Sequence, residues 1–219
     1  MGDAMSALAA YEELLGLGAK SAWAEVVAEM RSSFEERTGA FGPDDAWFDA
    51  RGQAFWDDAL TTQKFGRRAA GALGENVRAW ASRFERAHRG LFRAHHEAGA
   101  IVVGDVWSGA AFVIDAPTDA LASALEAASG DTAGEDQLFD GRVAGCADPF
   151  SVVLLPGAVF HRAEASAAIE AVVAEAKKKD LAKEDALDAL LRMDRKLQSH
   201  ARVKPTYAYR ADLLEPRAI

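Results

Sequence analysis

The chain has 219 residues, half of them hydrophobic and 27% charged, with a net charge of −9. That balance is globular and excludes a wholly disordered chain, a collagen-like fibre and a disulfide-stapled miniprotein. The acidic surplus argues against a nucleic-acid coat or a binder of anionic membranes, both of which present basic surfaces.

Residues 1–90 read as helix after helix. Met5, Leu8, Tyr11 and Leu15 mark one face at helical spacing, and Gly16-Leu17-Gly18 is expected to end that helix. Trp23, Val26, Val27, Met30 and Phe34 give a stronger stripe, closed by Gly39 to Pro43. Asp44 and Asp45 then stand where an N-terminal cap and first turn place negative charge. The third helix reaches about Leu60 and carries two adjacent aromatic pairs, Trp47-Phe48 and Phe55-Trp56. Thr61-Thr62 precede a fourth helical stretch with Phe65 and Leu73, interrupted at Gly74 and resumed by Val77, Trp80 and Phe84.

Near Gly90 the apolar period changes from that of a helix to that of a strand. Strands are expected at Leu91–Glu97, over Ile101–Val103 with Asp105–Trp107, at Ala111–Asp115, at Leu138–Cys146 and at Phe150–Leu155. Thr118–Ala128 is helix-like, and Ser129–Asp136 reads as an acidic loop. Helix returns over 162–200 with the stripes Ile169, Val172, Val173, Ala176 and Leu187, Leu190, Leu191, Leu197, followed by a tail at 201–219. The expected fold class is α+β: an N-terminal helical domain (1–90), a small antiparallel sheet or partly open barrel (91–161), and a C-terminal helical pair packed on the rest.

Charge is uneven along the chain. Block 91–161 holds two basic and ten acidic residues, a net of −8. Five-stranded barrels often bind oligonucleotides across one face, but such a surface repels phosphate. By contrast, Lys64, Arg67, Arg68, Arg78, Arg83, Arg86, Arg89 and Arg93 follow one another with Glu75 and Glu85 between them. Arg suits bidentate carboxylate recognition, and Arg and Trp favour interface centres. The expected partner-binding residues are therefore Arg67, Arg68, Arg78, Arg83, Arg86 and Arg89 with Trp47 and Trp56, and the partner is a protein with an acidic surface rather than nucleic acid or membrane. The plainer account is that these charges sit beside Asp44, Asp45, Asp49, Asp57 and Asp58 where two helical stretches pack.

Signals for chemistry are sparse. HExxH, paired CxxC, an EF-hand loop, GxxxxGK[ST], GxGxxG and GxSxG do not occur. No metal or cofactor is expected. His95 and His96 are adjacent, so on a strand they face opposite sides. Strand pairing offers His161 as a neighbour for them and for His88. Ser108-Gly109 reads as a turn. An uncommon hydrolase with an acidic cleft, using Asp105, Asp140 and a histidine, is the alternative to a non-enzymatic adaptor or regulator. The lone cysteine, Cys146, fits a reducing compartment. Gly2-Asp3 opens into an amphipathic segment with no basic, apolar leader. A cytoplasmic protein is expected, with a homodimer through the C-terminal helices as one possible assembly.

Overall fold

In the computed structural model, residues 2–115, 121–123, 137–200 and 203–214 are described. The chain is α+β. Helices α1 (Gly2–Gly18), α2 (Ala24–Thr38), α3 (Phe48–Thr61), α4 (Phe65–Arg68) and α5 (Glu75–Phe84) precede the sheet. Strands β1 (His88–Glu97), β2 (Ala100–Asp105), β3 (Ala111–Ile114), β4 (Gln137–Gly145), β5 (Ser151–Leu154) and β6 (Val159–Phe160) follow. Helices α6 (Ser166–Lys178), α7 (Lys183–Gln198) and α8 (Pro205–Ala208) come last. No helix of the described residues is long and apolar enough to cross a membrane.

The sheet order is β1-β2-β3-β5-β4-β6, and a further pairing of β1 with β4 closes five of the strands into a barrel. Long β1 makes this possible. Its second half pairs β2 (Glu97 opposite Ala100), while its first half pairs β4 (His88 opposite Val143). The sheet is not wholly antiparallel, as the sequence suggested, because β3 and β5 run parallel at Val113 and Ser151. The expected helix at Thr118–Ala128 lies largely outside the described residues, of which 121–123 are helical. The expected loop at Ser129–Asp136 lies wholly outside them.

Strand alternation sorts the barrel's two faces. Phe92, Ala94, Val103, Phe139, Val143 and Leu154 fill the interior. The outer face of β4 carries Leu138, Asp140, Arg142 and Ala144, all buried. Leu138 belongs to an apolar cluster with α6 and α7, whereas Ala144 belongs to one with the N-terminal helices. Asp140 and Arg142 thus lie at the seam between two cores. The Leu187, Leu190, Leu191 and Leu197 stripe of α7 is buried within the chain itself.

Two helical details differ from the sequence expectation. On α1, Ala4, Ala7, Tyr11, Leu14 and Leu17 face the core, and Met5 is 71% exposed. The small alanines carry the contact face, with the Trp80 indole donating to Ser6 Oγ at 2.9 Å. The Asp44-Asp45 pair does not cap α3. Asp45 Oδ2 instead accepts the Gly42 N–H at 2.8 Å in the preceding turn, and α3 begins at Phe48.

Candidate functional site

Helices α4 and α5 present the arginine stretch. Amphipathic α5 buries Val77, Trp80, Ala81 and Phe84, which turns Arg78 outward and leaves Arg83 part-exposed. Gly66 lets α4 lie directly on α5, since a Cβ there would sit 2.5 Å from the Ala81 Cβ. Arg67 reaches Glu85 at 2.6 Å with its side chain 68% exposed, and Arg68 reaches Glu29 of α2 at 3.4 Å. Arg78 donates to the Leu73 carbonyl at 2.9 Å and Arg86 to Ser82 Oγ at 3.1 Å. Neither forms an ion pair among the described residues.

Of the expected docking residues, Arg89 is buried, and Trp56 and Trp47 are half-buried. Arg89 is only 7% exposed, because β1 begins at His88 and turns Arg89 onto the sheet face that α7 covers. Trp56 is half-buried against the N-terminal core, 5.2 Å from Phe55 and 6.2 Å from Phe65 between ring centres. Trp47 is half-buried on the same core with its indole nitrogen enclosed. Their apolar bodies are used inside the fold.

Arg89 enters a buried chain of alternating charges. It grips Asp140 through Nη2 at 2.9 Å and Nε at 3.3 Å, and donates from Nη1 to Asp188 Oδ1 at 2.6 Å. The other oxygen of Asp188 accepts from Arg37 at 3.0 Å. Arg37 also bonds Asp58, whose second oxygen accepts from Arg142 at 3.0 Å. The path leaves β4 at Arg142, crosses α3, α2, α7 and β1, and returns to β4 at Asp140. Burial opposes ionisation of Asp58, yet Arg142 and Arg37 hold it below the ordinary carboxylate range. Burial likewise opposes the Arg89 charge, and Asp140 and Asp188 overcome it, so its pKa is raised. Arg51 lies close by, donating to the Thr38 carbonyl at 2.6 Å, and burial lowers its pKa.

The next residue along α3 is ionically different. Asp57 is fully buried, accepting from the Tyr11 hydroxyl at 2.8 Å and the Gly157 N–H at 3.1 Å. Burial pushes its carboxyl up to about 7 against the opposing pull of Arg142 and those two hydrogen bonds. Sequence reading placed Asp57 and Asp58 among surface charges. For Asp58 a signal exists: Arg51, Ala54, Phe55 and Asp58 stand at i, i+3, i+4 and i+7, so two charges occupy positions of a buried stripe, whereas Asp57 is not at one of those positions.

The residues of the acidic-cleft alternative are not brought together. Asp105 pairs with Phe92, whose side chain fills the barrel, and Asp140 pairs with Leu91, whose side chain faces α6 and α7. Consecutive residues of β1 project oppositely, so the two carboxylates lie on opposite faces of the sheet. Asp105 is occupied by its own turn. It receives Ser108 Oγ at 2.6 Å and the Trp107 N–H at 3.0 Å, with His88 Nε2 at 3.0 Å. Burial works against its charge, but hydrogen bonds from His88, Ser108 and Trp107 bring it down to about 2. Ser108 donates to the carboxylate and not to a histidine, so the three do not form a nucleophilic triad. His161 Nδ1 lies 3.1 Å from the Tyr209 hydroxyl and 3.7 Å from Asp194 Oδ1. Among the described residues no cluster of three or more His, Cys, Asp or Glu side chains has the arrangement to hold a metal ion.

An open cleft of about 500 Å³ lies between β1–β2 and the Glu170, Val173, Ala174, Lys177 face of α6. Two of its cations reach across the gap. Arg93 pairs with Glu170, and Lys177 Nζ donates to the Val106 carbonyl at 3.0 Å, 5.6 Å from the Trp107 ring centre. No family model matches the chain, and comparisons with curated proteins and with solved structures return no match.

Proposed function

We propose that the protein is a non-enzymatic cytoplasmic adaptor or regulator, binding an acidic protein through the exposed arginines of α4 and α5. The observation that supports this most is the division of the arginines into two sets. Arg37, Arg89 and Arg142 are buried and paired with aspartates, whereas Arg67 and Arg68 on α4, Arg78 on α5 and Arg86 in the turn after α5 are exposed. The surface set is not needed to neutralise the interior, and guanidinium forks match carboxylates. The net charge of −9 disfavours a long polyanion in the same place. An acidic-cleft hydrolase has less support, since Asp105 and Asp140 are separated by the sheet.

The test is charge reversal, Arg67→Glu with Arg68→Glu, in the full chain. The acidic protein recovered stoichiometrically by affinity capture of the wild type is the ligand. The double variant should keep its circular dichroism and Tm and associate about tenfold more slowly. Unchanged association by a folded variant overturns the reading, as does tight, salt-sensitive DNA binding by the wild type.

A further inference from the structure

The C-terminal end of α5 meets the β4–β5 turn around a pocket of about 400 Å³, lined by Arg83, Arg86, Gly145, Cys146 and Ala147. Arg83 is fixed in place by its guanidinium lying 4.5 Å from the Trp80 ring centre. Its Nη1 is buried without a hydrogen-bond partner, 3.7 Å from Asp3 Oδ2. That aspartate oxygen is already bound to the Ala147 N–H at 2.5 Å. Arg86 makes no ion pair among the described residues, holding only Ser82 through Nη1. The pocket therefore contains one guanidinium with an unsatisfied donor and a second with donors to spare.

Beside it the turn displays an apolar side chain. Cys146 N–H bonds the Ser151 carbonyl at 3.2 Å, and Asp148 Oδ1 accepts the Phe150 N–H at 3.0 Å. This tight turn leaves Phe150 81% exposed. Phe150 thus stands exposed in the turn that follows the Gly145–Ala147 wall of the pocket, and aromatics and arginines are what interface centres favour.

We infer that this pocket receives a carboxylate side chain from an acidic segment of the protein partner, with an apolar residue of that segment packed on Phe150. The inference rests on the docking function proposed above and assigns its central contact. A carboxylate fits better than a phosphate chain for two reasons. Burial is the main cause raising the Cys146 pKa, with Asp115 and Asp3 adding to it and Ser151 and Arg83 opposing. Asp3 already stands 3.7 Å from Arg83, so the local positive charge is partly offset and suits a single carboxylate. Phe150 offers contact area that a sugar-phosphate backbone does not use.

Cys146 makes the pocket measurable. The probe is a short fluorescent peptide of alternating Glu and Leu, with Glu–Ser and Lys–Leu peptides as counterparts. Binding is read by anisotropy, and pocket occupancy by the rate at which iodoacetamide alkylates Cys146 in the full chain. The Glu–Leu peptide should bind and slow alkylation about tenfold at saturation, and Arg86→Gln should weaken it about tenfold. Phe150→Ser should weaken the Glu–Leu peptide and leave the Glu–Ser peptide unchanged. Arg86 and Phe150 are exposed, so both variants retain the fold. Binding that depends on Arg67 and Arg68 but leaves Cys146 reactivity unchanged overturns the pocket and spares the docking function. Failure of the wild type to bind the peptide overturns both. Protection of Cys146 by an oligonucleotide but not by the Glu–Leu peptide overturns the choice of a protein carboxylate.

Discussion

Arg89 Nη1 lies 2.6 Å from Asp188 Oδ1, a contact that spans 99 residues and ties the first barrel strand to the last long helix. Asp188 shares its other oxygen with Arg37 of α2, so one carboxylate joins three parts of the chain. Ion pairs this deep gain little over an apolar alternative, but removing one member leaves the others charged and dry.

Asp188→Asn should therefore be among the most damaging single substitutions. It keeps the shape and removes the charge facing both Arg37 and Arg89. The expected loss is about 3–5 kcal/mol, read as a lower urea midpoint. Arg67→Gln removes a pair whose arginine is 68% exposed and should cost less than about 1 kcal/mol. Equal effects from the two would mean that the buried chain of charges is not the tie between the segments.

Asp57 sets a pH dependence of definite sign. Its carboxyl titrates near 7 when folded and near 3.9 when unfolded, so between those values the native state holds more protons. Its contribution is full below about pH 4, falls as pH rises and is lost above about 7. Asp57→Asn should flatten the decline in urea stability between about pH 4.5 and 7.5, a decline on the order of 2–4 kcal/mol. Asp58 and Asp105 act oppositely, since their folded pKa values are depressed. Their contributions are present above about pH 4 and fade on acidification. A wild type and Asp57→Asn pair with the same slope above pH 4 would show that Asp57 stays ionised.

Gly157 offers a steric test of the same corner. A Cβ there would stand 2.5 Å from the Gln53 carbonyl oxygen and 2.6 Å from Asp57 Cγ. Backbone cannot swing aside as a side chain does, so Gly157→Ala should cost about 1–3 kcal/mol. Gly52 lies inside α3 with nothing within 4 Å of its Cβ position. Gly52→Ala should stabilise by roughly 0.5–1 kcal/mol through helix propensity. Chemical denaturation of both variants reads the opposite signs directly.

Local pattern revealed much of this fold. The Met30 and Phe34 stripe, the change of period near Gly90 and the turn at Ser108-Gly109 all depend on neighbours in sequence, and all appear in the structure. Barrel closure did not show in that way. It depends on Arg89 facing Arg142 in register, a relation over 53 positions that no periodicity encodes. The α1 face is hidden for another reason: large side chains dominate a hydrophobic pattern, while the contact uses Ala4, Ala7 and Ala10. Sequence alone assigns Arg89, Asp57 and Asp58 to the surface because charged residues usually lie there. Only pairing partners distant in sequence make their burial tolerable. The Arg83–Arg86 pocket was half legible, since its arginines were singled out but the Cys146–Phe150 turn that completes it comes from another strand pair.

The seam of charges on β4 also constrains how such a protein can be rearranged by recombination. Arg142 is matched by an aspartate on α3, and Arg89 by one on α7. A helical lobe grafted from an unrelated chain would take the Asp58 partner from Arg142, and a foreign C-terminal helix would leave Arg37 and Arg89 with one aspartate each. Apolar cores accept substitutes of similar volume, but a buried ion pair that loses one member leaves the other charged and dry. Cutting the chain at either boundary should therefore release segments that do not fold alone.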